Sequence, residues 1–169
     1  MGSALEEIKE KLVGKWKVDR GENVEDFFRE LGLNFFTRKM AARGKPVSTI
    51  STEGDQITLA VQTSFWTMKD TFRLDEEFEK VTEGIKLKAI ATYNDGKLII
   101  KQTPIEEGSS VKPQEVHRER VGEELLQTDA LTTRPPEQFH IAIHGTISGN
   151  LTMYIGNVVC KRYCVRVQE

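Results

Sequence analysis

The chain has 169 residues and a formal net charge of −2 at pH 7, with 24 basic residues against 26 acidic ones. This length suits one domain, and charges of both signs spread along the chain exclude the field that would recruit nucleic acid. The start, "MGSALEEIKEK", lacks the apolar core of a signal peptide, and no run reaches the ~20 apolar residues that span a bilayer. We therefore expect one soluble, cytoplasmic domain with no nucleic-acid partner.

Helical periodicity is clearest in the segment "ENVEDFFRELGLNFFTRKMAAR". Its apolar residues recur at i, i+3, i+4 and i+7 on one helix face: Val24, Phe27, Phe28 and Leu31. Gly32 interrupts this stripe, because glycine favours the left-handed conformation in which helices end. We predict two short helices between about residues 23 and 43, forming an amphipathic hairpin.

Most of the remaining chain predicts short β-strands. The predicted strands are "LVGKWKV", "VSTIST", "QITLAVQT", "MKDTFRL", "EFEKVT", "IKLKAIATY", "KLIIKQT", "EVHRERV", "ELLQTDAL" and "NVVCKRYCVRV". Turns such as "EGDQ" and "NDGK" separate several of them at the close spacing of an antiparallel meander. Many short strands with one early helical pair predict an all-β, closed barrel with a helical lid.

Two of these strands place arginines where an interior is expected. "EVHRERV" has three residues on one face, Val116, Arg118 and Arg120. "VVCKRYC" has four on one face, Val158, Cys160, Arg162 and Cys164. If these faces are internal, Arg118 and Arg162 need an anion, because an uncompensated buried cation costs several kcal/mol and no matching internal carboxylate stands out from the pattern. The alternative, which periodicity leaves open, is that both arginines face water.

The segment from Asp129 to Asn150, "DALTTRPPEQFHIAIHGTISGN", breaks the strand pattern. Its two prolines lack the amide donor that a central strand needs, while "FHIAIH" alternates cleanly and predicts an inserted hairpin. His140 and His144 would lie roughly 13 Å apart on a strand, which is too far to share a metal ion. We therefore expect no metal site, and the equally spaced cysteines of the last strand are expected to be free thiols.

The sequence resembles the intracellular fatty-acid-binding protein family, a calycin-like family of cytosolic lipid-binding proteins. The resemblance rests, in the family's order, on "LVGKWKVDRGENVEDFFRELGLNFFTRKMA", "KPVSTISTEGDQITLAVQTSF", "FRLDEEFEKVTEGIK", "VHRERVGEEL" and "VVCKRY". It implies a ten-stranded antiparallel up-and-down β-barrel, also called a β-clam, capped by a helix-turn-helix lid. One domain would span residues 1–169, with the unmatched 129–150 segment as an insertion before the last strand.

The resemblance implies a carrier that binds a long-chain fatty acid, or a similar apolar carboxylate, inside the barrel. The family's two carboxylate-binding arginines fall on Arg118 and Arg162, with Arg162 expected as the main anion partner and Arg118 as the second. The ligand-facing wall includes Val116. The family's R-x-Y becomes Arg162-Tyr163-Cys164, so Cys164 is expected to face the ligand and the tyrosine to face outward. Arg120 either replaces the lost hydroxyl donor or lies in solvent at the strand end.

The resemblance also implies an entrance under the lid. Phe65 resembles the family's entrance phenylalanine, Phe28 and Phe36 lie on the lid that faces it, and Trp66 enlarges the apolar rim. Core packing under the lid is the alternative for Phe28 and Phe36.

Three basic residues of the lid, Arg29, Arg38 and Lys39, resemble a cluster that some family members use for nuclear import or for docking on anionic membranes. Ordinary solvated charges are the alternative. Together these features predict a monomeric cytoplasmic carrier, also present in the nucleus, that contacts membranes transiently through its lid.

Three functions other than a fatty-acid carrier are an enzyme, a carrier of another ligand and a protein-interaction module. No Ser/His/Asp grouping, glycine-rich phosphate loop or paired-carboxylate motif stands out, so we expect neither an enzyme nor a cofactor. A carrier of a retinoid or another hydrophobic ligand remains an alternative, because such ligands share this scaffold. A protein-interaction module with a degenerate cavity is the other.

Overall fold

The computed structural model describes residues 3–64, 67–82, 84–109, 111–131 and 159–168. Within these ranges the chain forms three helices, α1 (Ala4–Lys11), α2 (Val24–Leu31) and α3 (Phe35–Arg43). It also forms ten strands: β1 (Gly14–Glu22), β2 (Val47–Glu53), β3 (Gln56–Gln62), β4 (Thr67–Phe72), β5 (Glu77–Thr82), β6 (Ile85–Asn94), β7 (Lys97–Pro104), β8 (Gln114–Val121), β9 (Glu124–Leu131) and β10 (Val159–Arg166).

The strands form one antiparallel sheet in the order β4-β3-β2-β1-β10-β9-β8-β7-β6-β5. The first and last strands of this order meet through side chains, because the rings of Phe72 and Phe78 stack at 4.9 Å and Lys80 pairs with Asp70 at 3.0 Å. The sheet therefore curls into a nearly closed barrel. The predicted ten-stranded antiparallel barrel is confirmed.

Alternation along each strand separates the barrel interior from its surface. On β3, for example, Ile57, Leu59 and Val61 are buried, whereas the residues between them are half-buried. The period of two follows from the pleated backbone, which points successive side chains to opposite faces. The buried faces of the ten strands enclose an apolar core that also includes polar side chains.

The predicted helical lid is also present. Gly32 has a φ of 102°, a left-handed conformation that ends α2 and allows the chain to turn into α3. Asn34 then caps α3, since its Oδ1 accepts a hydrogen bond from the Thr37 amide at 2.9 Å. Phe27 and Leu31 are buried, and α2 packs against β9 and β10. The lid is thus attached to the barrel mainly by the apolar face of α2.

Helix α1 was not predicted. Ser3 caps it by accepting a hydrogen bond from the Glu6 amide at 3.2 Å. Ile8 and Leu12 are fully buried and join the core cluster that contains Trp16, whose Nε1 donates to the Leu12 carbonyl at 2.9 Å. The helix therefore packs its apolar residues against the barrel core.

The predicted insertion overlaps a strand. Asp129, Ala130 and Leu131 are the last three residues of β9. Asp129 and Ala130 pair with β10, and Leu131 pairs with β8, so the insertion as predicted begins inside the barrel wall. Its remaining residues, 132–150, lie outside the described residues. No helix in the described part of the chain is long and apolar enough to cross a membrane.

Candidate functional site

Arg118 and Arg162 both lie on buried faces of the barrel. Arg118 is 5% exposed and the Arg162 side chain 15% exposed. In the strand register, Arg118 of β8 lies opposite Gln127 of β9, and Gln127 lies opposite Arg162 of β10. The three side chains thus form one row across three neighbouring strands of the interior. The alternative in which both arginines face water is wrong.

Arg162 is already paired with a carboxylate. Its Nη2 donates to Oδ2 of Asp129 at 2.7 Å, and Nε2 of Gln127 donates to Oδ1 of the same residue at 3.2 Å. Burial lowers the pKa of Arg162, but the Asp129 carboxylate together with the two nearby cysteines outweighs that effect, and the pKa is raised overall. The expectation that no internal carboxylate matches the arginines was therefore wrong, because Asp129 is 2% exposed and faces the interior.

Arg118 has no such partner. Its Nε is buried without a hydrogen bond, and it forms no ion pair with a carboxylate of the described residues. Burial lowers the pKa of Arg118 to about 10, the Asp129 carboxylate opposes this change, and the charge on Arg162 adds to it. Because a guanidinium stays protonated in proteins, this lowered pKa expresses an electrostatic cost that a bound anion would relieve.

A second ion pair lies elsewhere in the interior. Nζ of Lys80 on β5 is 3.0 Å from Oδ2 of Asp70 on β4, and the two side chains are 6% and 11% exposed. Both interact electrostatically with Arg118. The inward faces of the described strands thus hold three cations, Lys80, Arg118 and Arg162, against two carboxylates, Asp70 and Asp129. A further buried carboxylate, Glu115, lies on the other face of β8 from Arg118 and contacts His117. One positive charge remains unbalanced, and it belongs to Arg118.

The inward positions of Asp70 and Asp129 were not predicted, although the alternation along each strand indicates them. In "MKDTFRL", Asp70 shares its strand face with Phe72, which is buried. In "ELLQTDAL", Asp129 shares its face with Leu125, also buried. Applying the same alternation that assigned the arginines would have placed both carboxylates inside.

Val116 and the two cysteines line the interior near the charged row. Val116 is 7% exposed and lies opposite Asp129 in the register. Cys160 and Cys164 are free and at most 1% exposed, so Cys164 faces inward as predicted. Burial raises the pKa of Cys160 to about 12 and also raises the pKa of Cys164. Both thiols are therefore neutral near pH 7.

Two neighbouring residues point away from the row. Tyr163 lies on the outer face, with the Arg20 guanidinium 4.3 Å from its ring, as predicted. Arg120 lies at the strand end, where its Nε donates to the Gly122 carbonyl at 2.7 Å and its Nη2 is 3.3 Å from Glu123. Of the two alternatives for Arg120, the structure supports the strand-end position.

The lid phenylalanines have different environments. Phe28 is half-buried, its ring lies 5.7 Å from the Arg162 guanidinium, and it contacts Phe27 edge to face at 5.6 Å. Phe36 is 71% exposed, so core packing is wrong for this residue. Phe65 and Trp66 lie outside the described residues.

The predicted basic cluster of the lid is partly neutralised. Arg29 pairs with Asp26 at 3.0 Å, and Lys39 pairs with Glu25 at 2.6 Å. The hydrogen bond from Lys39 lowers the pKa of the Glu25 carboxyl. Arg38 lies over the ring of Phe35 at 5.3 Å. This surface of the lid therefore does not present three free positive charges.

A nearly closed barrel with a helical lid and one unbalanced interior cation defines a small-ligand-binding barrel. The chain belongs to the lipocalin / cytosolic fatty-acid binding protein family, whose model matches residues 13–129. It is 36% identical over 126 residues to fatty acid-binding protein 9 of Homo sapiens, covering 74% of this chain and 95% of that protein.

Solved structures are similar over nearly the whole chain. Apo lipid binding protein 8 of Caenorhabditis elegans matches with a TM-score of 0.75 at 23% identity, covering 99% of both chains. A fatty acid-binding protein from brain tissue of Drosophila melanogaster matches with a TM-score of 0.67 at 30% identity, covering 90% of this chain and 98% of that chain. These similarities support the barrel fold described above.

Proposed function

We propose that this chain binds one long-chain fatty acid, or a similar apolar carboxylate, inside the barrel and carries it through the cytosol. The observation that carries the proposal is Arg118, a buried guanidinium without a counter-ion in an interior that has one surplus positive charge. A fatty acid supplies one negative charge and an apolar chain. The names of the matched relatives support this ligand class and a carrier that is not an enzyme.

Arg118 is the main partner of the carboxylate in this proposal and Arg162 is the second, which reverses the order expected from the sequence. The Nε atoms of both arginines are buried without a hydrogen bond, but Asp129 already neutralises Arg162, whereas Arg118 pairs with no carboxylate of the described residues. A hydrogen bond between charged groups contributes about 1.5–3 kcal/mol, and burial of the chain contributes ~0.8 kcal/mol for each CH₂. The arginine thus orients the ligand, while the hydrocarbon supplies most of the affinity.

The ligand class is tested with the purified protein. Bound molecules are extracted and identified by mass spectrometry, and the delipidated protein is titrated calorimetrically with oleate and with oleyl alcohol. We expect a copurified fatty acid and one-to-one oleate binding that is about tenfold tighter than alcohol binding. A copurified retinoid would favour the retinoid carrier. An empty extract and no oleate binding would contradict the proposal and favour a protein-interaction module.

The lid supports a second role, transient contact with an anionic membrane. Phe35 and Phe36 are 65% and 71% exposed on α3. The cations of Arg38 and Lys39 lie over the ring of Phe35. Exposed aromatic rings beside basic groups suit a membrane interface. Phe36→Ser should reduce sedimentation with anionic vesicles and leave oleate affinity unchanged. Equal sedimentation of both proteins would contradict this role. A cytoplasmic monomer with nuclear access is part of the same proposal.

A further inference from the structure

A polar group of the interior without a partner also lies at some distance from the two arginines. Gln102 on β7 is 6% exposed, and its Oε1 is buried without a hydrogen bond. It lies opposite Ala89 on β6 and Gln114 on β8, and its neighbour on the same face is Ile100. A buried amide oxygen without a donor is unfavourable, so this position favours a ligand that supplies a hydrogen bond.

The register fixes how far this amide lies from the carboxylate position. Arg118 lies opposite Leu98 on β7, four residues before Gln102 on the same inward face. Four residues of strand correspond to roughly 13 Å. That length covers most of one acyl chain, because the ~30 Å hydrocarbon core of a bilayer is two chains thick.

The group that reaches Gln102 is expected to be neutral. The surplus interior charge belongs to Arg118, and Lys80 is already paired with Asp70, so a second carboxylate would find no free cation on the inward faces of the described strands. A hydroxyl both donates and accepts a hydrogen bond, and it therefore satisfies the Gln102 amide in either orientation of its oxygen and nitrogen. An unsubstituted chain would leave the amide against methylene groups.

We infer that Gln102 makes the barrel selective for hydroxy fatty acids whose hydroxyl lies beyond the middle of the chain. This inference rests on the proposed function, because the carboxylate at Arg118 sets the position of the hydroxyl. The hydroxyl group donates its proton to Oε1 of Gln102, the atom that lacks a donor. No covalent step is involved.

The test compares oleate with ricinoleate, which is oleate with a hydroxyl just past the middle of the chain. Competition titrations of the delipidated protein should show ricinoleate binding about five- to tenfold tighter than oleate. Oleate hydroxylated next to its carboxylate should show no such gain. Equal affinities for oleate and ricinoleate would overturn the inference while leaving the proposed function intact. Failure of oleate to bind would overturn the proposed function itself.

Two variants test whether the preference for ricinoleate depends on the Gln102 amide. Gln102→Met keeps the side-chain length and removes the hydrogen bonds, so the preference for ricinoleate should fall to within about twofold. Lys101→Met is the matched control, because Lys101 is exposed on the same strand, and it should keep the full preference. A Gln102→Met protein that retains the preference would overturn the assignment to this residue. The comparison within the unmodified protein remains decisive if the variant does not fold.

Discussion

The Arg162 guanidinium lies 2.7 Å from the carboxylate of Asp129 inside the barrel. Gln127 donates to the same carboxylate at 3.2 Å. Because Asp129 neutralises Arg162, an incoming anion gains more from Arg118, whose charge is uncompensated. The two arginines thus have different roles in the proposed site, although the register places them in one row.

Replacing Arg118 by Gln should weaken oleate binding by about 1.5–3 kcal/mol, because it removes a charge-assisted hydrogen bond to the carboxylate. Binding of oleyl alcohol should change little. Arg162→Gln should weaken oleate binding less but lower the free energy of unfolding more, since it leaves Asp129 buried without its cation. Calorimetric titration and urea denaturation of both variants measure the two effects.

The matched control for these variants is Arg120→Gln. Arg120 is on the same strand but donates to the Gly122 carbonyl at the strand end. Its replacement should leave oleate affinity nearly unchanged. A larger loss of oleate affinity in Arg162→Gln than in Arg118→Gln would show that the proposed order of the two arginines is wrong.

Replacing Asp129 by Asn should separate ligand affinity from stability. Without ligand, the free energy of unfolding should fall by about 3–5 kcal/mol, because Arg162 loses its buried partner. Oleate affinity should rise about tenfold, because the freed Arg162 becomes a second cation for the carboxylate. Urea denaturation with and without oleate checks both expectations. An equal loss of stability in the two conditions would contradict the link between Asp129 and the ligand.

The alternation of side chains was sufficient to predict much of the interior from the sequence. The segment "EVHRERV" predicts that Arg118 shares a face with Val116, and both residues are buried. "VVCKRYC" likewise predicts Cys164 inside and Tyr163 outside, as observed. These predictions succeed because a strand has a period of two, so one residue assigned to the core fixes its neighbours.

Pairing between distant strands could not be predicted in the same way. Asp129 and Arg162 are 33 positions apart, and their contact depends on the register between β9 and β10. Local pattern carries no information on that register, which long-range packing determines. Helix α1 could not be predicted for a related reason. Its apolar stripe is short, and the helix is stabilised by the packing of Ile8 and Leu12 against the barrel core.

The ion pair between Lys80 and Asp70 joins the two strands at the ends of the sheet order. Lys80→Met should lower the free energy of unfolding by about 3–5 kcal/mol, because Asp70 remains buried without a cation. The double variant Lys80→Met/Asp70→Leu should recover most of this loss, since no unpaired charge is left. Urea denaturation of the single and double variants measures the difference.

An exposed pair on the adjacent strands provides the control. Lys88 and Glu77 are 3.1 Å apart, with side chains 56% and 61% exposed. Lys88→Met should change the free energy of unfolding by less than about 1 kcal/mol, because exposed ion pairs contribute little. Similar losses in Lys80→Met and Lys88→Met would mean that burial does not determine the strength of the Lys80 pair.

The buried thiol of Cys160 should make stability depend on alkaline pH. Burial raises its pKa from 9.0 to about 12, so between these values the unfolded chain loses the thiol proton while the folded protein keeps it. The contribution to stability is therefore complete below pH 9 and is lost as the pH rises toward 12.

Cys160→Ala lacks this contribution, and its free energy of unfolding should fall less steeply above pH 9 than that of the unmodified protein. The cavity left by the smaller side chain lowers stability equally at every pH, so the difference in slope isolates the thiol. Urea denaturation at a series of pH values provides the measurement, and parallel profiles would contradict a protonated, buried Cys160.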